Sequence, residues 1–487
     1  MQKSYKPFHI VLFILGCLLI LGLVSYAVPS GKKDILGYEF RFLSQHKLLK
    51  TETRQEVNVD SLFADIDTSI VEDIDLSDSI DEPKGKIKNY KVTTEDLLAF
   101  SEGGKEKFRL FFNKLKAIGS NKIRILHYGD SQIEGDRVTS FLRQRLQTQF
   151  GGYGPGFIPA VNVYNTVTYT QTYSENFQRF TNFGGQSLST KRYGIMNSVG
   201  RFTPEYSDSI NLDSLEIVSA WMEVEPGPYG YSRAKTYKNI IVHYSDAFTA
   251  CEIRVWKNGE LVKTDSLIAD GKYHKFNYAL PDSPGKIKIE YSSKISPNIL
   301  GYSLEGNGGL QVDNIAMRGS SGTFFGKIDQ GLAKRIYDEQ NVELFIMQFG
   351  GNAVPYLKDT AAVERASRYF KGQLNVIKRL RPNAMIIVIG PSDMSTLIEE
   401  EFRTYPLLPL FVDQLRKVTK EIDGAYFDMY SAMGGEDAMA AWVEKGLAGQ
   451  DHIHFTPKGA SIAAQKFYDA FMTTYNKLTT VNDSDEE

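Results

Sequence analysis

The chain has 487 residues, of which 42% are hydrophobic and 24% are charged, as in ordinary globular proteins. Its formal net charge of −3 provides no global field that would attract nucleic acid, so no nucleic-acid partner is predicted. The two cysteines, Cys17 and Cys251, are too few for a disulfide framework and lack the spacing of a metal site. The length allows more than one domain with a large buried core.

The N-terminal segment predicts a membrane anchor over residues 1–29. Residues 8–28 contain no Asp, Glu, Lys or Arg and are long enough to cross a bilayer as one helix. A cleaved signal peptide usually has a shorter apolar region, so an uncleaved anchor is favoured. Cys17 also ends a loose match to a bacterial lipobox, but apolar residues continue beyond it. We therefore expect an anchor in the bacterial cytoplasmic membrane, with the bulk of the chain in the periplasm.

The next region, residues 30–105, contains a strongly acidic stretch at residues 51–82 in which Ile, Leu and Val are interspersed. This composition predicts a solvated spacer between the membrane and a globular body, and the alternative is a partner-binding segment. At the other end of the chain, residues 479–487 form an acidic tail.

From residue 95 onward the pattern is typical of an α/β protein. A helical pattern at residues 96–118 leads into an apolar strand, and after a turn apolar residues recur at helical spacing up to Phe150. Similar apolar strands follow at 342–349, 384–390 and 424–430, with helical segments between them. A parallel sheet with crossover helices has this order of elements.

Residues 161–305 interrupt this alternation of strands and helices. They contain short segments rich in β-branched and aromatic residues, separated by turns such as KNGE and DSPGK. This pattern predicts an all-β sandwich inserted into an α/β domain that comprises residues 106–160 and 306–478.

The stretch GDS, residues 129–131, places a serine at a strand-to-helix turn. In α/β sheets such a position can present a nucleophile, although Gly, Asp and Ser are also common in turns and helix caps. A serine nucleophile needs a base and a residue that orients the base. The stretch DHIHFTP supplies both, because Asp451 precedes His454 by three residues just ahead of a predicted helix.

Two further loops are candidates for binding an oxyanion. FGGN, residues 349–352, ends an apolar strand and can present the side-chain amide of Asn352. RGSSG, residues 318–322, follows another strand, and its glycines allow a backbone N–H to face the pocket. Each loop alone is a weak signal, but four such blocks follow successive predicted strands.

The four blocks resemble those of the SGNH (GDSL) hydrolase superfamily, whose fold is a three-layer α/β structure with a parallel sheet. The resemblance implies that Ser131 is the nucleophile, His454 the base and Asp451 its orienting carboxylate. It also implies an oxyanion hole made by the Ser131 and Gly322 backbone N–H groups and the Asn352 amide, without a cofactor. The third block departs from the usual pattern, because Ala353 stands where an aspartate often follows the asparagine.

A narrower resemblance is carried by GDSQIEGDRVTSFLRQRLQTQFGGYGPGFIP, which is similar to the peptidoglycan O-acetylesterase group of this superfamily. That group carries a β-sandwich similar to a carbohydrate-binding module at the place of residues 161–305. The resemblance implies an esterase that removes O-acetyl groups from a cell-envelope polysaccharide, with peptidoglycan as the first candidate. Aromatic residues that could stack on sugars, or else fill the core, are Tyr164, Tyr169, Tyr173, Trp221, Tyr229, Tyr231 and Trp256.

Three alternatives stay open on the sequence. An O-acetyltransferase would use the same triad and pass the acetyl group to a sugar. An anchored glycan-binding protein would carry vestigial catalytic blocks. A metal site could instead use His452 and His454 with Asp130, Asp136 or Asp451.

Overall fold

The computed structural model describes residues 98–206, 209–282 and 284–480, two short strands before them, and six helical positions between residues 13 and 26. The acidic stretch at 51–82, most of the predicted anchor and residues 481–487 lie outside the described residues. Across the part that is described, no helix is both long and apolar enough to span a membrane. The anchor and the localisation therefore stay predictions.

The described strands, in chain order, are β1 (Lys32–Ile35), β2 (Tyr38–Arg41), β3 (Lys122–Gly129), β4 (Gly156–Ile158), β5 (Tyr169–Tyr173), β6 (Gln178–Thr181), β7 (Ser198–Arg201), β8 (Val218–Pro226), β9 (Asn239–Ser245), β10 (Cys251–Lys257), β11 (Glu260–Leu267), β12 (His274–Ala279), β13 (Ile287–Ser293), β14 (Asn298–Glu305), β15 (Gly309–Ala316), β16 (Val342–Gln348), β17 (Met385–Ile389), β18 (Ser395–Ile398), β19 (Glu401–Thr404) and β20 (Ala425–Phe427). The α-helices span Glu102–Lys116, Thr139–Phe150, Ser232–Lys235, Gln330–Glu339, Thr360–Leu380, Leu408–Lys420, Met429–Met433, Ala438–Glu444 and Pro457–Thr479. Short 3-10 turns lie at Ser131–Asp136, Leu212–Ser214, Phe325–Lys327 and Gly351–Tyr356.

The predicted parallel sheet is confirmed, with the strand order β15-β3-β16-β17-β20. Successive residues of a strand point to opposite faces, so the apolar run of β3 serves two cores. Ile125 belongs to one cluster of buried residues and Leu126 to the other. Helices cover both faces of the sheet, and the result is a three-layer α/β structure.

Two predicted boundaries were wrong because local side chains end the elements. The helix expected over 96–118 begins at Glu102, since the Ser101 side chain caps it by accepting from the N–H of Gly104. The strand expected over 424–430 ends at Phe427, because Asp428 caps the helix that follows.

Between the two α/β blocks, the chain forms two antiparallel sheets. One has the order β11-β10-β13-β8-β5 and the other β12-β9-β14-β7-β6, with β4 also paired to β14. Buried side chains of both sheets, such as Val242 and Ile253, belong to one hydrophobic cluster. The assignment of residues 161–305 as a separate β-sandwich module stays a prediction.

A buried ionic cluster joins these sheets to the parallel sheet. The fully buried guanidinium of Arg124, on β3, donates to Asp313 on β15 at 2.7 and 2.9 Å and also pairs with Glu305 at the end of β14. Lys122 adds a second cation to Glu305. A buried charge is tolerated when it is paired and hydrogen-bonded, so the three strands are fixed together at this point.

Removing one partner of this cluster should be strongly destabilising. We expect Glu305→Ala to lower the free energy of unfolding by about 3 kcal/mol or more, because it leaves Arg124 buried with less compensation. Chemical denaturation measures the change. As a matched control, Glu290→Ala removes a partner of the more exposed Arg254 and should change the stability by less than about 1 kcal/mol. Equal effects of the two substitutions would contradict this role.

Candidate active site

The blocks found in the sequence follow the carboxyl ends of parallel strands. β3, β15 and β16 end at Gly129, Ala316 and Gln348, and the register pairs all three residues across neighbouring strands. The loops that follow therefore start from one edge of the sheet, which is where ligands bind in open α/β folds.

The turn after β3 separates the roles of its aspartate and its serine. The Asp130 carboxylate caps the turn by accepting from the N–H of Gln132 at 3.0 Å. The turn is kinked at Gly135, whose φ of +70° suits glycine. Because Asp130 supplies the cap, the Ser131 hydroxyl is left for another partner.

That partner is His454. Ser131 Oγ lies 2.7 Å from His454 Nε2, and His454 Nδ1 lies 2.6 Å from Asp451 Oδ2. The three side chains form a continuous hydrogen-bonded row across 323 residues of sequence separation. A hydroxyl, an imidazole and a carboxylate in this order can activate the hydroxyl as a nucleophile.

Asp451 is held as a carboxylate. Burial would raise its pKa, but hydrogen bonds from the His454 side chain and from the N–H groups of His454 and Ile453 outweigh burial and lower the pKa to about 2. A carboxylate that stays ionised fixes the orientation of the imidazole and stabilises its protonated form.

The loop that contains Asp451 and His454 is positioned by the helix that follows it, Pro457–Thr479. Thr456 caps the helix by accepting from the Gly459 N–H, and its own N–H donates to the Leu447 carbonyl at 3.0 Å. A side chain at Gly459 would meet the same carbonyl oxygen, since its Cβ would lie 1.9 Å away. The close approach requires glycine and fixes where the histidine loop leaves the helix.

Two residues of the nucleophile turn, Gln132 and Arg137, were not singled out in the sequence. Gln132 Nε2 donates to the Ile453 carbonyl at 2.6 Å, and its Oε1 accepts from the Phe455 N–H. Arg137 donates to the carbonyls of Ser131 and Phe455 at 2.5 and 3.1 Å. These contacts hold the nucleophile and the residues on both sides of His454 in one frame. No sequence pattern marks them, because their partners are backbone atoms of a distant loop.

Asn352 lies beside the nucleophile turn, as its block predicts. Its Nδ2 donates to Asp130 Oδ2 at 3.2 Å and to the Ser320 carbonyl at 3.1 Å. Burial raises the pKa of Asp130 to about 6, although hydrogen bonds from the Gln132 backbone and from Asn352 counteract this. An amide in this position can turn one N–H toward negative charge that develops near Ser131.

The N–H of Gly322, a predicted oxyanion donor, bonds within its own loop. The Gly322 N–H donates to Ser320 Oγ at 3.1 Å, and the residue is buried against Phe349 and Phe370. The short loop folds back on itself, so the hydroxyl two residues earlier takes this donor. Gly319 in the same loop is exposed at a φ of +74°, and its N–H has no acceptor among the described residues.

Two residues named for the alternative metal site, His452 and Asp136, have other partners. The His452 ring stacks on Phe402, with 3.7 Å between ring centroids, and Asp136 pairs with Arg143 at 2.6 Å. Within the described ranges, no three His, Cys, Asp or Glu side chains are grouped so that they could hold a metal ion.

The aromatic residues singled out for sugar contact have several environments. Tyr169 is buried in the core, and the hydroxyls of Tyr164 and Tyr173 donate to backbone carbonyls. Trp221 and Trp256 lie on either side of Lys288, whose Nζ is 5.3 and 5.8 Å from their rings. Tyr231 contacts Phe141, and Tyr229 is 55% exposed. Stacking on a sugar is therefore compatible with only part of this set.

The raised pKa of Asp130 predicts a pH dependence of stability. The folded state holds this proton more tightly than the unfolded chain, so ionisation of Asp130 lowers the stability as the pH rises through about 6. Asp130→Asn removes the ionisation. The free energy of unfolding of this variant, minus that of the parent, should therefore be about 1 kcal/mol larger at pH 8 than at pH 5, so the variant gains relative stability at the higher pH.

Urea denaturation at the two pH values measures this difference. The control is Asp423→Asn, at a carboxyl whose pKa is lowered by a hydrogen bond from Lys107. Its effect should be the same at both pH values, because that group is ionised throughout. A pH-independent effect of Asp130→Asn would contradict the raised pKa.

No protein-family model and no curated protein sequence matches this chain. Among solved structures, a peptidoglycan O-acetylesterase is 19% identical, covers 76% of this chain and 96% of its own, and superposes with a TM-score of 0.59. A putative GDSL-like lipase from Parabacteroides merdae is 16% identical over 35% of this chain and 73% of its own, with a TM-score of 0.25. The assignment of the fold does not depend on this second match. The predicted resemblance is thus confirmed at the level of the fold, which this chain shares with the peptidoglycan O-acetylesterase.

Proposed function

We propose that this protein is a serine esterase that removes O-acetyl groups from a cell-envelope polysaccharide, with peptidoglycan as the first candidate substrate. The observation that carries the proposal is the row formed by Ser131, His454 and Asp451, with contacts of 2.7 and 2.6 Å. The fold shared with a peptidoglycan O-acetylesterase supports the choice of substrate class.

In the first half-reaction, Ser131 Oγ attacks the acetyl carbonyl carbon while His454 takes its proton. The tetrahedral intermediate collapses, the bond to the sugar oxygen breaks, and His454 gives its proton to that oxygen. In the second half-reaction, His454 takes a proton from water, which attacks the acetyl-enzyme. Acetate leaves, and Ser131 regains its proton.

Negative charge on the carbonyl oxygen needs donors that are fixed before the reaction. The Ser131 N–H and the Asn352 amide are the first two donors in this proposal. The Gly322 N–H is the third donor, and it would exchange its bond to Ser320 Oγ for one to the oxyanion. No step in this sequence draws on a metal or an organic cofactor.

The remaining features of the proposal concern delivery of the polymer. We infer that residues 161–305 form a β-sandwich module that helps to bind the polysaccharide. The predicted anchor over residues 1–29 would hold the enzyme at the outer face of the cytoplasmic membrane, in the periplasm, where a cell-envelope glycan is accessible.

Acetate release from O-acetylated peptidoglycan and from O-acetylated xylan tests the function directly. Release from peptidoglycan is expected, and no release from either polymer would overturn the esterase. Adding an unacetylated acceptor glycan tests the transferase alternative, because a transferase would move the acetyl group to the acceptor instead of releasing acetate.

Substitution of the nucleophile should abolish turnover without unfolding the protein. Ser131→Ala is expected to lose at least about a thousandfold in kcat on an acetyl ester, as in other triad hydrolases. The matched control is Ser461→Ala, which alters a half-buried serine on the C-terminal helix. This variant should retain the full activity of the parent. Circular dichroism checks the fold, and residual activity near that of the parent would refute the assignment.

Substitution of the two histidines of the DHIH stretch should have very different effects on turnover. His454→Ala removes the base and should be as damaging as the loss of Ser131. His452→Ala removes a ring that stacks on Phe402, so it should retain most of the turnover. Collapse of both variants, together with inactivation by a chelator and rescue by a divalent ion, would instead support a metal site.

Asn352 should act mainly in the transition state. Asn352→Ala is expected to lower kcat by about a hundredfold to a thousandfold with little change in KM, because charge on the carbonyl oxygen develops only during the reaction. Steady-state kinetics on a small acetyl ester measures both constants. An unchanged kcat with a raised KM would place Asn352 in substrate binding.

A further inference from the structure

A cleft lies beside the nucleophile turn. It is partly open to solvent. One wall is Gly135, four residues after Ser131, and Ala316 at the carboxyl end of β15. Tyr164 and Arg179 line it from the first segments of the β-rich region. The cleft therefore joins the catalytic turn to the part of the chain that is inserted between the two α/β blocks.

Arg179, on β6, stands out within this lining. It is half-buried, and its guanidinium makes no hydrogen bond or ion pair with any of the described residues. Burial lowers the pKa of Arg179, and the nearby hydroxyl of Tyr164 counteracts this only in part. The five N–H donors of the guanidinium therefore have no acceptor within the described part of the chain.

The acidic groups near the cleft are already paired. Glu134 accepts from Arg318 Nε at 2.7 Å, and Asp136 accepts from Arg143 Nη1 at 2.6 Å. These ion pairs neutralise Glu134 and Asp136. The positive charge of Arg179 is therefore left for a group that enters from solution.

The rest of the lining suits a sugar. Arg318 lies 5.6 Å from the centre of the Tyr164 ring, so a second cation borders the same aromatic wall. Asn162 and Ser198 add polar groups. Aromatic faces with a few polar groups are typical of sites that bind sugar rings, and a fork of N–H donors matches a carboxylate.

We propose that this cleft binds a carboxylate of the acetylated glycan through Arg179, so that the enzyme selects acidic sugars. The inference rests on the proposed function, because the cleft is taken to hold a sugar of the polymer whose ester reaches Ser131. The shared chemistry is a sugar carboxylate, which either a uronic acid or a lactyl ether on an amino sugar supplies.

Binding of glycans that carry no acetyl group tests this inference separately from catalysis. Titration calorimetry on the full chain uses four oligosaccharides: one with a lactyl ether, one with a uronic acid, and the reduced counterpart of each, in which the carboxyl is an alcohol. At least one acidic ligand should bind, and its reduced counterpart should bind at least tenfold more weakly. Arg179→Gln should lose about tenfold to a hundredfold in affinity, as expected for charge-assisted hydrogen bonds, whereas Arg179→Lys should recover part of it.

The matched control is Arg254→Gln, which removes an arginine from the other antiparallel sheet and should bind as the parent does. Thermal melts check that each variant is folded. Equal affinity for acidic and reduced ligands, parent-like binding by Arg179→Gln, or no binding of any ligand would overturn the inference. Acetate release without a preference for acidic sugars would overturn it while leaving the esterase intact. Acidic-sugar binding without acetate release would overturn the esterase instead.

Discussion

The structure depends on one buried guanidinium. Arg124 lies on the strand that leads to Ser131, and its two carboxylate partners stand at the end of β14 and on β15. A buried cation must keep its partners, so the strand before the nucleophile, the last strand before the return to the α/β fold and the first strand after it are held in one arrangement. The β-rich region is therefore tied to the catalytic sheet by charge as well as by chain connectivity.

The site itself is held by contacts to backbone atoms. Gln132 and Arg137 reach from the nucleophile turn to carbonyl and N–H groups on both sides of His454. A histidine loop fixed in this way keeps Nε2 within hydrogen-bonding distance of Ser131 before any substrate arrives. Such preorganisation avoids rearrangement during the reaction, which is one source of enzymatic rate enhancement.

The segment after β4 links the catalytic turn to the antiparallel sheets. The Val167 N–H donates to the Gly135 carbonyl at 3.1 Å, and the Thr168 hydroxyl donates to Asp136. Tyr164 in the same segment bonds to the Ala316 carbonyl at the end of β15. The chain therefore builds one wall of its cleft from the α/β part and the other from the β-rich part, and changes in either part alter the cleft.

Much of this protein could be predicted from its sequence, because the relevant signals are local. Apolar periodicity gave the parallel sheet and its helices, and the GDS stretch gave a serine at a strand end. The three-residue spacing of Asp451 and His454 was sufficient to predict their contact, since a short loop before a capped helix closes that distance by itself.

Only the tertiary structure decided the rest, because those interactions join residues far apart in the chain. In the structure Asp130 caps the turn, so the Ser131 hydroxyl contacts His454. The Gly322 N–H donates to Ser320. The tertiary structure also stacked His452 on Phe402 and left the half-buried Arg179 guanidinium without an acceptor among the described residues. Each outcome depends on which loops meet at the edge of the sheet, and local pattern carries no information on the direction of a hydrogen bond across that edge.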